Sequence, residues 1–137
     1  MPDYLLDSGI LIRCLRNRPG YQALLRRLAG EGELYIASFT RLEVIRGMRD
    51  HEREATYGLL DSVLTHPLDR ETADLAGEWI RVWQGRGVIV GGPDAVIAAS
   101  AQRCGAILVT TNPRHFPMPE LTVLAADEAG DLHPREG

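Results

Sequence analysis

Apolar and polar positions along the chain switch between two periods, one of strands and one of helices. Tyr4-Leu5-Leu6 is a short apolar run closed by Asp7-Ser8-Gly9, the pattern of a buried strand that ends at a turn. From Ile10 to Leu15 the pattern turns amphipathic, which predicts a first helix over 9–16. Pro19-Gly20 opens a second helix, with Leu24, Leu25 and Leu28 on one face and Gly30 as its stop. Glu33-Leu34-Tyr35-Ile36-Ala37 reads as the second strand, and Thr40 starts a helix to about Met48. Residues 51–64 form another helix, followed by a candidate short strand at His66-Pro67-Leu68. Asp69 or Thr72 caps a long helix to about Gln84, stopped by Gly85 and Gly87.

Val88-Ile89-Val90 fits either a short strand or an apolar loop, and Gly91-Gly92-Pro93 is a break. Asp94 to Ala101 is a helix of small residues closed by Gly105, suited to tight packing on a sheet. Ala106-Ile107-Leu108-Val109-Thr110 is the clearest strand, and Leu121-Thr122-Val123-Leu124 the last one expected. Residues 127–137 are polar and read as a fraying tail, which leaves 1–126 as a single domain. Strands alternating with helices predict an α/β fold, with a mostly parallel central sheet of about five strands flanked by helices.

Composition narrows the class. The 137 residues are 45% hydrophobic and 25% charged, as in ordinary soluble domains. No signal peptide or membrane-length apolar run is present, so a cytoplasmic protein without membrane attachment is expected. Cys14 and Cys104 lack metal-ligand spacing and read as packed thiols in a reducing compartment. The net charge of -4 does not advertise a nucleic-acid binder. All 15 basic residues are Arg, however, and Arg grips phosphate through a planar fork.

Candidate chemistry collects at the carboxyl ends of the strands, where open α/β sheets bind ligands. Asp7 follows the first strand, and Glu43 lies one turn into the helix after the second. Asp94 opens the small-residue helix, and Asn112 follows the Ile107–Val109 strand. Carboxylates gathered on one rim repel one another unless a cation joins them. Mg²⁺ takes oxygen ligands while keeping waters and substrate phosphates in its shell. Each residue also has a plainer role. Asp7 and Ser8 are favoured helix caps. Thr40-Arg41-Leu42-Glu43 fits a capping box. Asp94 suits a first helical turn, and Asn112-Pro113 suits a turn.

Taken together, Leu6-Asp7-Ser8, Thr40-Arg41-Leu42-Glu43, Pro93-Asp94-Ala95-Val96-Ile97-Ala98-Ala99 and Val109-Thr110-Thr111-Asn112-Pro113-Arg114-His115-Phe116 resemble the four motifs of the PIN domain. In particular they resemble the VapC-type toxins of bacterial toxin–antitoxin pairs, over residues 4 to about 124. The resemblance implies a Rossmann-like PIN fold and an endoribonuclease dependent on Mg²⁺, with Mn²⁺ as a substitute. It implies Asp7 and Asp94 as the principal metal ligands, with Glu43 completing the acidic pocket. Ser8 and Thr110 would hydrogen-bond the acids or the scissile phosphate. Asn112 stands where family members carry Asp or Asn, which puts a second tightly held metal in doubt.

The implied partners are an RNA substrate, a small VapB-type antitoxin and a second copy of the chain. Competing classes are a PIN-like module that binds without cutting and a housekeeping PIN nuclease without an antitoxin. A receiver domain is excluded because it needs a lysine and the chain has none. Trp79 and Trp83, spaced i, i+4, read as core or dimer contact. His115 reads as structural or solvent-facing, with substrate contact as the alternative. Arg13 and Arg16 are candidates for phosphate contact, against the simpler role of solvated helix charges.

Overall fold

The structure, a computed structural model, describes residues 1–135. In chain order the elements are β1 (Tyr4–Leu6), α1 (Ser8–Leu15), α2 (Tyr21–Glu31), β2 (Leu34–Ala37), α3 (Ser38–Arg46), α4 (Arg53–Asp61), β3 (Leu64–His66), α5 (Arg70–Gln84), α6 (Gly92–Cys104), β4 (Ile107–Thr110), β5 (Val123–Ala126) and β6 (Leu132–Pro134). They build one six-stranded sheet in the order β3-β2-β1-β4-β5-β6. The first five strands are parallel, and β6 pairs antiparallel with β5.

The strand period divides the core in two. Leu5 and Leu108 face one side of the sheet, where Ala76 and Trp79 of α5 and the alanines of α6 cover them. Tyr4, Leu6, Ile36 and Val109 face the other side, against Ile10, Leu11, Leu24, Leu28, Val44 and Leu60 of α1 to α4. The fully buried Ala95, Ala98, Ala99 and Ala101 let α6 lie close to the sheet. Deleting one large buried side chain, as in Leu108→Ala, costs about 3 kcal/mol in such a core.

The differences from the sequence reading have local causes. The helix after β2 begins at Ser38, directly off the strand, with Ala37 as its cap. Thr40 is therefore interior and fully buried, and its hydroxyl has no hydrogen-bond partner, so the capping box with Glu43 does not form. Helix α2 runs through Gly30 and stops at Gly32. A Cβ on Gly32 would stand 1.9 Å from the Pro2 carbonyl oxygen, so the close pass of the N-terminus selects glycine there. Gly92 and Pro93 lie inside the first turn of α6 rather than ahead of it. Val88-Ile89-Val90 is a loop, with Val90 buried and Ile89 exposed.

The expected tail is corrected most. Residues 127–135 turn back and add β6, the sixth strand, where about five were expected. Asp127 accepts hydrogen bonds from the backbone N–H groups of Ala129 and Asp131, and Gly130 supplies the positive φ of the turn. Arg135 donates to the carbonyls of Phe116 and Leu121. Of the expected 127–137 tail, Glu136 and Gly137 fall outside the described residues.

Candidate active site

Strand β1 is central, so Asp7 at its carboxyl end meets elements from both directions along the sheet. Its carboxylate is buried and doubly held. Asp7 Oδ1 accepts from the Ser8 backbone N–H at 2.7 Å, and Oδ2 accepts from the Thr110 hydroxyl at 2.7 Å. Asp7 does cap α1, yet one carboxylate oxygen serves the cap and the other crosses to β4. The Thr110 hydroxyl in turn accepts from the Asn112 backbone N–H at 3.0 Å.

Glu43 reaches the same place from α3. With no cap to serve, its Oε1 accepts from the Ser8 hydroxyl at 2.7 Å. Asp94 arrives from the first turn of α6, and His115 Nδ1 lies 3.3 Å from its Oδ2. Burial is the main cause that raises the Asp7 carboxyl above its ordinary range, with Glu43 adding to it while Thr110, the Ser8 N–H and His115 oppose it. Asp94 is also raised, first by burial, with His115 opposing and Asp7 and Glu43 adding. The Glu43 charge thus acts on both Asp7 and Asp94, and the Asp7 charge on Asp94, which sets the three along one rim.

Asn112 stands apart. Its side chain is exposed, and its amide lies 3.4 Å from the Thr111 hydroxyl, with no hydrogen bond to Asp7, Glu43 or Asp94. Two neighbours carried little weight in the sequence. His115 joins the rim through Asp94, and its place three residues after Asn112 was the available signal. Thr111 accepts from Arg13 Nη1 at 3.2 Å and ties α1 to the rim. A Cβ on Gly9 would lie 2.8 Å from the Thr111 hydroxyl, so glycine permits this approach.

Among the described residues, no three His, Cys, Asp or Glu side chains already stand as a metal-ligand set. The donors on offer at the rim are carboxylate oxygens, and burial with the neighbouring Glu43 charge raises two of the acids, Asp7 and Asp94. That chemistry fits a hard divalent cation that keeps part of its water shell.

Residues 4–119 match the PIN domain family. The chain belongs to that family. Among curated PIN relatives, it is 34% identical to Ribonuclease VapC19 of Mycobacterium tuberculosis over 115 residues, covering 83% of this chain and 92% of that protein. It is 34% identical to Ribonuclease VapC10 of the same species over 114 residues, covering 83% of this chain and 86% of that protein. Among solved structures, DNA-bound VapBC from Salmonella typhimurium superposes with a TM-score of 0.76 at 26% identity, covering 90% of this chain and 97% of that one. The Rossmann-like α/β PIN fold expected from the motifs is the fold found.

Proposed function

We propose that this PIN-domain protein is a divalent-metal-dependent endoribonuclease and the toxin of a VapBC-type pair, working in the cytoplasm. The observation that carries the reading is the rim itself, where Ser8 bonds both Asp7 and Glu43 and the Glu43 charge raises the carboxyls of both Asp7 and Asp94. The relatives named ribonucleases and the solved VapBC assembly support it.

In this reading Asp7 and Asp94 are the principal ligands of Mg²⁺, or of Mn²⁺ in its place, and Glu43 completes the set. When bound, the cation lowers the pKa of a water and stabilises charge on the phosphodiester. The chain's own residues set the geometry. Thr110 and the Ser8 N–H hold Asp7 in one orientation. Ser8 holds Oε1 of Glu43, which leaves Oε2 without a protein partner among the described residues and able to take a proton from an attacking water. Asn112 adds no charge, so the rim favours one strongly held metal over two.

The partner reading uses a groove of about 310 Å³ beside Glu43, where Ile12, Leu15, Val44 and Met48 supply the apolar lining and Arg16, Arg49 and Glu52 the charged lining. An amphipathic antitoxin tail suits it, and a cationic side chain from that tail is favoured beside the rim acids. Among the described residues, no helix is long and apolar enough to cross a membrane. A homodimer is part of the proposal. Trp79 is taken up by its own chain's core, so the contact on α5 would use exposed residues such as Val82.

Expression in a bacterial host tests the whole reading. Growth should stop with the wild-type protein and continue with Asp94→Asn. The product of a short reading frame beside this gene should restore growth. Unaffected growth with no such neighbouring frame would remove the toxin assignment.

A further inference from the structure

Two cavities flank helix α1, and Ile12 and Arg16 line both. One is the groove toward α3, which mixes apolar side chains with Glu43, Arg49 and Glu52. The other is a cleft of about 540 Å³ lined by Ile12, Arg13, Arg16, Arg18, Pro19 and Glu128. We propose that Arg13, Arg16 and Arg18 form a phosphate-binding cleft that holds the backbone of single-stranded RNA beside the carboxylate rim. This rests on the ribonuclease reading and adds a substrate subsite to it.

The local fold explains how three arginines come to line one cleft. Helix α1 ends with Asn17 in the left-handed region at φ 56. The Arg18 N–H donates to the Arg13 carbonyl at 3.0 Å, and the Asn17 N–H to the Cys14 carbonyl at 3.1 Å. These are the two hydrogen bonds of a Schellman ending, which folds the residue after the turn back over the last helical turn. That motif ordinarily places an apolar pair at these two positions. Here Arg13 and Arg18 occupy them, so two like charges stand where a hydrophobic contact is usual. Favourable contact with the helix dipole accounts for Arg13 and Arg16 near the end of α1, but not for Arg18 beyond it.

Arg13 lies over the Tyr21 ring at 6.0 Å, which leaves its charge in place. Among the described residues none of the three arginines enters an ion pair, in a protein whose net charge is -4. Glu128 is the single acid on the cleft wall. Arg13 also connects the cleft to the chemistry. Its Nη1 donates to Thr111, whose neighbour Thr110 holds Asp7. A guanidinium carries five N–H donors in a planar fork, so one bond to Thr111 leaves donors for a phosphate. A chain of phosphates leaving the rim past Thr111 meets Arg13 first.

The test measures binding of a 2′-O-methyl RNA oligonucleotide, which cannot be cut, with chelator present and at several salt concentrations. Arg13→Ala, Arg16→Ala and Arg18→Ala should each weaken binding severalfold. Each should also flatten the slope of log affinity against log salt by about 0.7, the value for one lost single-strand phosphate contact. Arg103→Ala, at an exposed position in the last turn of α6, should change neither. Arg16 and Arg18 are exposed, so their variants remain informative even if Arg13→Ala loosens the fold.

With cleavable RNA the same variants should raise KM and leave kcat near wild type. Wild-type affinity and salt slope in all three would overturn the cleft, whether or not the protein cuts RNA. Loss of antitoxin affinity with RNA affinity intact would overturn it too, and would make the cleft a site for an acidic peptide. If the wild type binds RNA through these arginines yet cuts none, the cleft stands and the nuclease reading falls.

Discussion

The Ser8 hydroxyl donates to Glu43 Oε1 at 2.7 Å, across 35 positions of sequence. That bond takes Glu43 away from helix capping and places it at the rim. Glu43→Gln keeps an oxygen able to accept from Ser8, so we predict a thermal midpoint within a few degrees of wild type. RNA cleavage should fall by two orders of magnitude or more. Cleavage at the wild-type rate in this variant would remove Glu43 from the site.

Ser8→Ala tests the same bond from the other end. Losing one hydrogen bond to a charged group costs about 2 kcal/mol when the group stays buried, and less where water can replace it. Glu43 is only partly buried, so we expect a modest loss of stability. Cleavage should drop about tenfold, because Glu43 loses its orientation. Unchanged turnover would show that Glu43 is held by its own helix alone.

The pH dependence of stability has a definite sign. Asp7 and Asp94 are both raised in the folded protein. A raised acid takes its proton more readily folded than unfolded, so the metal-free fold is penalised at neutral pH. The penalty is relieved as pH falls through the folded values toward the ordinary carboxylate pKa of about 4. Asp69 and Asp127 are lowered, by hydrogen bonds with Thr72 and His133 respectively, and their contribution is lost only at pH below that range. In chelator, the thermal midpoint should therefore rise from pH 7 toward pH 5. The rise should shrink in an Asp7→Asn, Asp94→Asn double variant, whose midpoint at pH 7 should exceed wild type. Saturating Mg²⁺ should flatten the wild-type rise, because the cation favours the deprotonated acids.

Asn112→Asp adds a full charge next to Thr110, through which Asn112 is linked to Asp7. We predict tighter Mg²⁺ binding by calorimetry. The exposed side chain and its contact with Thr111 limit the gain to a few-fold unless the loop turns inward. Equal or weaker affinity would place Asn112 outside the reach of the metal.

Most of the sheet was legible because β1, β2 and β4 are short apolar runs bounded by turn residues. The candidate rim could be drawn from the sequence because Asp7 follows a strand, Asp94 opens a helix and Glu43 lies in the helix after β2. What escaped was set by contacts distant in sequence. β6 contains one large apolar residue, Leu132, and is held by β5, by the Asp127 turn and by Arg135. Thr40 looked like a cap because Thr and Glu stood three apart, but the helix had already begun at Ser38. Gly30 looked like a stop, while the approach of Pro2 put the stop at Gly32. The hydrophobic pattern could show none of these.

The C-terminal strand gives its own prediction. Tyr21 donates to the Asp127 carbonyl at 2.7 Å, and Leu132 packs against the core. Deleting 127–137 should lower the thermal midpoint by more than about 4 °C, the shift that 1 kcal/mol produces in a domain of this size. A truncated protein as stable as the full chain would show that β6 adds nothing.

The central claim is that the three rim acids make a metal-dependent ribonuclease, and cleavage of a single-stranded RNA by purified protein tests it most directly. The wild type should cut with Mg²⁺ or Mn²⁺ and stop on addition of chelator. Asp94→Asn should be folded by circular dichroism and cut nothing under either metal. Cleavage by Asp94→Asn and Asp7→Asn at the wild-type rate, or cleavage that persists in chelator, would contradict the account.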